Sequence, residues 1–279
     1  MWGRNTPFGG VQSTHVKPGQ KLKLSRIPTD TLGPFKNKHD PAVEKRLHKD
    51  AKELCQLQEL LYAEQRRSVL VVLQAMDTGG KDGLLRHVVG PLDSRGVEVV
   101  SVKAQTETEL AHDFLWRVHA HTPRKGQMTF FNRSHYEDVL AVRVMKLQPE
   151  EIWRQRFDHI AAFERLLSDE GTRVVKFFLH ISRDEQRRRL KERLRDPAKH
   201  WKLSPEDLVA RAEWKEYESA YEEALSRTST DQSPWYIVPA DRKWVRDVAV
   251  TRVLVDLLRE MNPQPPKIKI DPKKFKIPT

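Results

Sequence analysis

Cysteine is almost absent from this 279-residue chain, and long apolar runs are missing. The single cysteine, Cys55, cannot form an internal disulfide, so a disulfide-stapled scaffold is excluded. The apolar segments are far too short to cross a bilayer, and the N-terminus lacks the apolar stretch of a secretory signal. We therefore expect a cytoplasmic protein that has no membrane partner.

Acidic residues are outnumbered by basic ones. The chain has 39 Asp and Glu against 50 Lys and Arg, which gives a formal net charge of +11. An excess of this size indicates a polyanionic partner. Nucleic acid, nucleotides, an acidic surface and inorganic polyphosphate all fit, and charge alone does not choose among them.

Apolar strand patterns alternate with helical patterns along the chain. Five strands are predicted, at residues 69–74, 97–103, 128–131, 173–181 and 235–238. A helix is predicted over 106–121, opened by a capping box of Thr106 and Glu109. Alternation of this kind favours an α/β fold with a central parallel sheet that is covered by helices on both faces.

The two ends of the chain have a different composition. Residues 1–40 carry scattered Gly, Pro and Lys without periodicity, and they are interpreted as an irregular arm that wraps or frays. Asp40 and Pro41 then start a helix, so the catalytic domain is placed at 41–262. Residues 263–279 hold five lysines and five prolines, which predicts an extended basic tail.

The segment from Ala75 to Asp82 is the most informative stretch of the sequence. It follows the apolar run 69–73 and leads, through Gly79, Gly80 and Lys81, into a helix. This is the layout of a phosphate-binding loop, in which backbone N–H groups and a lysine hold phosphate oxygens. Two positions depart from the usual pattern. Ala75 replaces its first glycine, and Asp82 replaces the serine or threonine that follows its lysine. A glycine-rich turn kept only for packing is the alternative.

Polar side chains also follow two other predicted strands. Lys103 ends the strand 97–103, and Asn132, Arg133 and then Glu137 follow the strand 128–131. Ligands of parallel sheets bind outside the carboxyl ends of the strands, so these residues are expected near the phosphate loop. Each of them alone could be an ordinary exposed side chain.

Phosphoryl transfer fits the chemistry of these residues. Such a reaction requires cations around the transferring group, a metal ion and alignment of donor and acceptor. Lys81, Lys103 and Arg133 could neutralise the developing charge, whereas Asp77 and Glu137 could hold magnesium.

A strongly basic segment covers residues 182–202, with nine Lys and Arg against four acids. As a helix it places Arg189 and Arg193 on one face and Arg188 near another. A solvated charged helix is one explanation. The other is a lid over 183–215, because lids of nucleotide kinases follow the corresponding strand and close arginines over phosphates.

The chain from Met76 to Trp244 resembles the polyphosphate kinase 2 family. The resemblance rests on five motifs: Met-Asp-Thr-Gly-Gly-Lys-Asp-Gly (76–83), His-Asp-Phe-Leu-Trp-Arg (112–117), Phe-Asn-Arg-Ser-His-Tyr-Glu-Asp-Val-Leu (131–140), the basic lid ending in His-Trp-Lys (200–202), and Pro-Trp-Tyr-Ile-Val-Pro-Ala-Asp-Arg-Lys-Trp (234–244).

The resemblance implies a P-loop kinase-like three-layer fold and transfer of phosphate from inorganic polyphosphate to nucleoside mono- or diphosphates. It also implies magnesium as cofactor, for which manganese can substitute, and a homo-oligomer. Asp77, Lys81, Arg133 and Glu137 are the implied catalytic residues. The implied substrate-binding residues are Gly79, Gly80, Asp82, Gly83, Lys103, Asp113, Arg117, Asn132, Arg188, Arg189, Arg193 and Lys243.

One position departs from the family pattern. Many members have Asp-Arg where this chain has Asn132-Arg133, and asparagine carries no charge. Glu137 is the candidate for the displaced carboxylate. The Asn-Arg-Ser-x-Tyr-Glu variant resembles the class III subgroup, which accepts both AMP and ADP.

Two other functions compete with this interpretation. An ATP-dependent nucleoside or nucleotide kinase would share the fold, but a single ATP does not require so many cations. A nucleic-acid-binding protein with a decayed phosphate loop would need exposed aromatics among basic residues. Phe177, Phe178, Trp214 and Tyr221 instead occupy apolar positions, so no nucleic-acid partner is expected.

Overall fold

A six-stranded sheet forms the centre of the computed structural model, which describes residues 13–267. The strands are β1 (Thr14–Val16), β2 (Ser68–Ala75), β3 (Val97–Ser101), β4 (Met128–Asn132), β5 (Thr172–His180) and β6 (Trp235–Pro239), in the order β1-β6-β5-β2-β4-β3. Five of them pair in parallel, and β1 pairs antiparallel with β6. The parts of the predicted arm and tail at 1–12 and 268–279 lie outside the described residues.

Ten α-helices occur in the described part of the chain. They are α1 (Pro41–Glu64), α2 (Lys81–Leu84), α3 (Glu107–Leu110), α4 (Trp116–His119), α5 (Ala141–Val144), α6 (Glu150–Asp169), α7 (Arg183–Arg195), α8 (Pro205–Ala212), α9 (Trp214–Thr228) and α10 (Lys243–Met261). A π-helical turn at Leu85–Val89 extends α2, and 3₁₀ turns occur at Leu24–Arg26, Ser94–Gly96, His135–Asp138 and Pro197–Lys202. None of the helices among residues 13–267 is both long and apolar enough to cross a membrane.

The core explains the layered arrangement. Residues 69–73 of β2 are fully buried, as continuous apolar runs at the centre of a parallel sheet must be. Helix α10 packs on α1 and β6, whereas α6 packs on β5 and α9. The predicted α/β architecture with a covered parallel sheet is confirmed.

The predicted count of five strands is wrong by one. The sixth, β1, lies in the segment that was interpreted as an irregular arm, where Thr14 pairs with Ile237 and Val16 with Trp235. Three residues are too few to give a recognisable periodicity. The described part of the arm beyond β1 packs along the domain, where Leu24 N donates to Glu222 and Thr29 Oγ1 to Asp241.

The predicted helix over 106–121 is also interrupted. The capping box of Thr106 and Glu109 forms as expected. However, the Asp113 carboxylate accepts hydrogen bonds from the backbone N–H groups of Leu115 and Trp116. Such a side-chain bond to nearby backbone N–H groups offers the chain a local alternative to the helix, and α3 and α4 lie on either side of this turn in place of the single predicted helix.

Strand register brings the predicted site together. Leu73 of β2 lies beside Asn132 of β4, and Asn132 lies beside Ser101 of β3. On the other side, Ala75 pairs with Leu179. The carboxyl ends of the parallel strands therefore meet at one edge of the sheet, where the phosphate loop leaves β2.

Candidate active site

The phosphate loop makes a tight turn between β2 and α2. Thr78 and Gly80 have φ values of 63° and 97°, in the left-handed region. A non-glycine residue with positive φ is uncommon and costs about 1–3 kcal/mol, so Thr78 indicates strain at this site. A Cβ on Gly79 would lie 2.4 Å from the Ala75 Cβ. The glycines thus serve packing as well as the turn.

Three buried or partly buried side chains hold the carbonyls of the loop. Gln186 donates to the Asp77 carbonyl at 3.1 Å, Arg189 to the Thr78 carbonyl at 2.9 Å, and Arg246 to the Gly80 carbonyl at 2.8 Å. The carbonyls are satisfied by the protein itself. The loop is therefore set in one conformation before a substrate arrives, which lowers the cost of binding an anion.

A cationic cavity of about 610 Å³ opens above the loop. Its charged lining residues are the cations Lys81, Arg86, Lys103, Arg133, Arg189, Arg193, Lys199, Lys202, Lys243 and Arg246, and the acids Asp77, Asp82, Glu192 and Asp207. Ten Lys and Arg against four acids make a site for a polyanion. Gly79, Gly80, Gly83 and Asn132 also line it, as predicted.

Several lining residues were missed by sequence reasoning. Arg246 is fully buried, and it lies on a helix whose neighbours Val245 and Val248 are buried as well. An arginine inside an apolar helix is a signal that could have identified it, because buried charges need partners. Lys199 and Lys202 lay inside the predicted lid without being selected.

A second, apolar cavity of about 490 Å³ lies next to the cationic one. Met76, Leu110, Val142, Met145, Leu147, Val209, Tyr217 and Tyr221 supply its apolar and aromatic lining. Its polar residues include Arg117, Arg133, Glu137 and Asp138. A mostly apolar cavity with a few placed polar groups is typical of a site for a small organic ligand.

The two cavities meet at three of the predicted residues. Asp77, Lys103 and Arg133 line both of them. The Arg133 guanidinium lies 2.8 Å from the Asp77 carboxylate, and Arg133 itself has a φ of 61°. A strained arginine at the junction of two cavities marks the point where groups bound in each would face one another.

Lys81 stands unpaired near this junction. Partial burial, and then the nearby Arg133, lower the pKa of its ammonium. No ion pair joins this ammonium to any other residue in 13–267. The Asp77, Glu137 and Asp82 carboxylates act on this ammonium only without direct pairing, so an anionic ligand in the cationic cavity could pair with it directly.

Glu137 places a recessed carboxylate within electrostatic reach of Arg133 and Lys81. Its recessed position raises the pKa of Glu137, whereas the Arg133 guanidinium and the Lys81 ammonium oppose that rise. Gln74 donates to the same carboxylate at 3.2 Å. Asn132 instead donates its side-chain N–H to Asp82 at 3.0 Å, so its amide orients another acid of the loop.

The donor set suits a magnesium ion that is held partly by substrates. No group of three or more His, Cys, Asp or Glu able to hold a metal occurs between residues 13 and 267. The Asp77 carboxylate pairs with the Arg133 guanidinium at 2.8 Å, and the Glu137 carboxylate also acts electrostatically on it, so both carboxylates lie near the same arginine. Magnesium commonly takes one or two carboxylates together with phosphate oxygens and water, so these residues fit it.

Two predicted substrate-binding residues lie outside both cavities. The Arg188 guanidinium is held by Glu185 at 2.6 and 2.7 Å and by Glu192, on the exposed side of α7. The Asp113 carboxylate accepts hydrogen bonds from the backbone N–H groups of Leu115 and Trp116. Arg117 is recessed in the apolar cavity, where it donates to the Lys103 carbonyl and pairs with Asp138 at 3.2 Å.

Comparison with known protein families identifies the family of the chain. The profile of the Polyphosphate kinase 2 family matches residues 37–266, which include every cavity-lining residue named above. The chain belongs to the polyphosphate kinase 2 family. Of the residues in the five motifs, Asp77 and Arg133 line both cavities.

Relatives in this family are similar over most of their length. The chain is 49% identical to the AMP/ADP-polyphosphate phosphotransferase of Meiothermus ruber, over 92% of this chain and 96% of the relative. It is 42% identical to the ADP-polyphosphate phosphotransferase of Rhodopseudomonas palustris, covering 88% and 89%. The crystal structure of polyphosphate kinase 2 from Arthrobacter aurescens TC1 superposes with a TM-score of 0.86 at 41% identity, covering 90% and 89%.

Proposed function

We propose that this protein is a polyphosphate-dependent nucleotide kinase. It transfers a phosphoryl group reversibly from inorganic polyphosphate to nucleoside mono- and diphosphates, converting AMP to ADP and ADP to ATP. The observation that carries the proposal is the junction of the cationic cavity with the apolar cavity at Asp77, Lys103 and Arg133. The activities named for the Meiothermus ruber and Rhodopseudomonas palustris relatives support the same reaction.

Polyphosphate occupies the cationic cavity in this proposal. An extended polyanion contacts several cations at once, and the cavity offers ten of them. Lys199 and Lys202 follow the lid helix α7, whereas Lys243 begins α10, so the cations come from separate elements. A track of this kind exceeds what a single nucleoside triphosphate needs, which disfavours an ATP-dependent kinase.

The nucleotide occupies the apolar cavity, with its phosphates directed to the junction. Tyr217 and Tyr221 together with Met145 provide the apolar surface that a nucleoside requires. This cavity is recessed and not an open groove of aromatic side chains. A nucleic-acid-binding function is disfavoured for that reason.

At the junction the residues act through charge and alignment. Lys81 and Arg133 face the transferring group, where they neutralise the charge that develops on its oxygens. Asp77 and Glu137 would hold magnesium, which supplies further charge neutralisation when bound. Arg189 and Arg246 act indirectly, since they hold the loop carbonyls and leave the loop in its binding conformation.

The same proposal includes three properties of the assembled protein. We propose that magnesium is required and that manganese can replace it, that the enzyme is a homo-oligomer, and that it is cytoplasmic. The family relationship motivates the first two. Size-exclusion chromatography with light scattering tests the oligomeric state.

The acceptor range gives a direct test. One active site, at the junction of the two cavities, should phosphorylate both AMP and ADP. Asn132 lacks the negative charge that would repel the longer phosphate chain of ADP. In a time course from AMP, polyphosphate and magnesium, ADP should appear first and ATP later without added adenylate kinase. Nucleotide separation by chromatography provides the measurement. A course that stops at ADP would limit the enzyme to one step.

The lid helix provides a matched pair of variants. Arg193 lines the cationic cavity, whereas Arg188 on the same helix lies outside it. Arg193→Gln should raise the KM for polyphosphate severalfold. By analogy with nucleic-acid binding, it should also reduce the slope of log KM against log salt concentration by about one. Arg188→Gln should leave both unchanged. Steady-state kinetics at several salt concentrations measures these effects. Equal effects of the two variants would contradict the assignment of the cavity.

A further inference from the structure

Gln74 is a polar side chain within the apolar strand β2. Residues 69–73 of this strand are apolar and fully buried, and Gln74 is fully buried with them. It lies beside Phe178 of β5, whose ring packs on Tyr221. An apolar side chain would fill such a place without burying a polar group. A buried amide here therefore calls for a partner or a function.

Only one end of the Gln74 amide has a partner in the described chain. Its Nε2 donates to Glu137 Oε1 at 3.2 Å. Its own Oε1 is buried and accepts no hydrogen bond from any residue between 13 and 267. An amide donates only from its nitrogen, so contact with a carboxylate fixes which end faces Glu137. Because a buried acceptor without a partner is unfavourable for folding, the stability of the core does not account for Gln74.

The turn that carries Glu137 is fastened on both sides of this residue. Tyr136 is fully buried, and its hydroxyl donates to Glu164 at 2.8 Å. Asp138 is also buried and pairs with Arg117 at 3.2 Å. The backbone of Glu137 is therefore held in place, whereas its side chain lines the apolar cavity.

The Glu137 side chain depends on Gln74 for its orientation. No ion pair joins the Glu137 carboxylate to another residue between 13 and 267, and Gln74 is its one hydrogen-bonding side chain there. A glutamate can adopt several rotamers. A hydrogen bond from a buried amide favours the rotamer that directs one carboxylate oxygen to Gln74 and leaves the other for a ligand. Groups that orient metal-binding side chains in this way contribute strongly to metal affinity.

We propose that Gln74 is a positioning residue for the Glu137 carboxylate. It holds Oε1 of Glu137 and keeps Oε2 available to the magnesium ion that Glu137 would hold. Gln74 lines neither cavity, so it acts only through Glu137. This role rests on the proposed function, because that function assigns Glu137 to magnesium.

The stability of Gln74→Met in metal-free buffer is the first test. Methionine keeps the length of the side chain and removes the unpartnered acceptor, so the urea midpoint should equal or exceed that of the wild type. Gln74→Leu provides a second apolar variant. The matched control is Thr129→Val, because the Thr129 hydroxyl is also buried without a partner among residues 13–267 and lines neither cavity. A lower midpoint in both Gln74 variants would overturn the assignment, since the amide would then serve the fold.

The magnesium dependence of transfer from polyphosphate to ADP is the second test. Gln74→Met should raise the magnesium concentration for half-maximal activity by about tenfold, the lower end of the effect of groups that orient metal ligands. The kcat at saturating magnesium should stay close to that of the wild type, because the bound ion then orients the carboxylate itself. Thr129→Val should titrate as the wild type does. A wild-type titration curve for Gln74→Met would overturn the assignment.

A double variant separates the role of Gln74 from the proposed function. In a Glu137→Gln background, Gln74→Met should cause no further shift in the magnesium titration, because the two residues act as one unit. A further tenfold shift would contradict action through Glu137. If Glu137→Gln shifts the titration and Gln74→Met does not, the Gln74 assignment fails while the role of Glu137 stands. If Glu137→Gln titrates as the wild type does, both roles fail. No transfer by the wild type would overturn the proposed function itself.

Discussion

Lys81→Ala should lower the rate of phosphoryl transfer by about 100- to 1,000-fold without unfolding the protein. Losing one preorganised charge-stabilising donor commonly has an effect of this size. Lys81 makes no direct ion pair with another described residue, and its charge acts on the Glu137 and Asp77 carboxylates without direct pairing. Its pKa is already lowered, first by burial, so the protein alone gains little from this charge. Steady-state kinetics with polyphosphate and ADP measures the loss.

The control for this prediction is Lys191→Ala, an exposed lysine of α7 that lines neither cavity. It should retain wild-type turnover, and thermal unfolding should show that both variants are folded. Turnover of Lys81→Ala close to that of the wild type would remove the phosphate loop from the mechanism.

Glu137→Gln should raise the magnesium concentration required for half-maximal activity by at least about tenfold. A change next to a metal site commonly costs 10- to 100-fold in affinity, and glutamine replaces a charged oxygen ligand by a neutral amide. The variant should remain folded, because the position already disfavours the charged carboxylate and raises its pKa. Initial rates over a range of magnesium concentrations give the measurement.

Glu216→Gln, at an exposed position of α9, provides the matched control. It should titrate with magnesium as the wild type does. A Glu137→Gln variant with the same titration curve would show that Glu137 does not compensate for Asn132. Asp77 and the substrate phosphates would then have to suffice for the metal.

The phosphate loop could be predicted because its signal is local. A buried strand, two glycines and a lysine lie within 13 consecutive residues, 69–81, and the backbone chemistry of a phosphate site requires that order. The grouping of Lys103 and Arg133 with the loop followed from topology alone, because parallel strands end at one edge of the sheet. Both inferences needed no knowledge of packing.

Packing decided what sequence reasoning could not resolve. Arg188 and Arg189 are adjacent, so about 100° separates them around α7. Only docking of the helix decides that Arg189 enters the cavity and that Arg188 pairs with Glu185 and Glu192. The role of Arg246 could not be predicted because its contact with the Gly80 carbonyl, 166 positions away, depends on the position of α10 against the loop.

Short elements are the second kind of feature that could not be predicted from the sequence. The strand β1 has three residues, and its pairing with β6 joins residues more than 200 positions apart. The break between α3 and α4 depends on a single side chain, Asp113, that bonds to the backbone instead of to a ligand. Periodicity over a window of 11–18 residues does not detect either feature.

One assay tests the central claim most directly. Purified protein is incubated with ADP, magnesium and polyphosphate labelled with ³²P, and ATP is separated from ADP after short times. The account predicts that ATP forms with the label in its terminal phosphate. The Lys81→Ala variant should form labelled ATP at a rate lower by at least about 100-fold. No labelled ATP from the wild type, in a reaction where the protein is folded and binds polyphosphate, would contradict the assignment of polyphosphate as the phosphoryl donor.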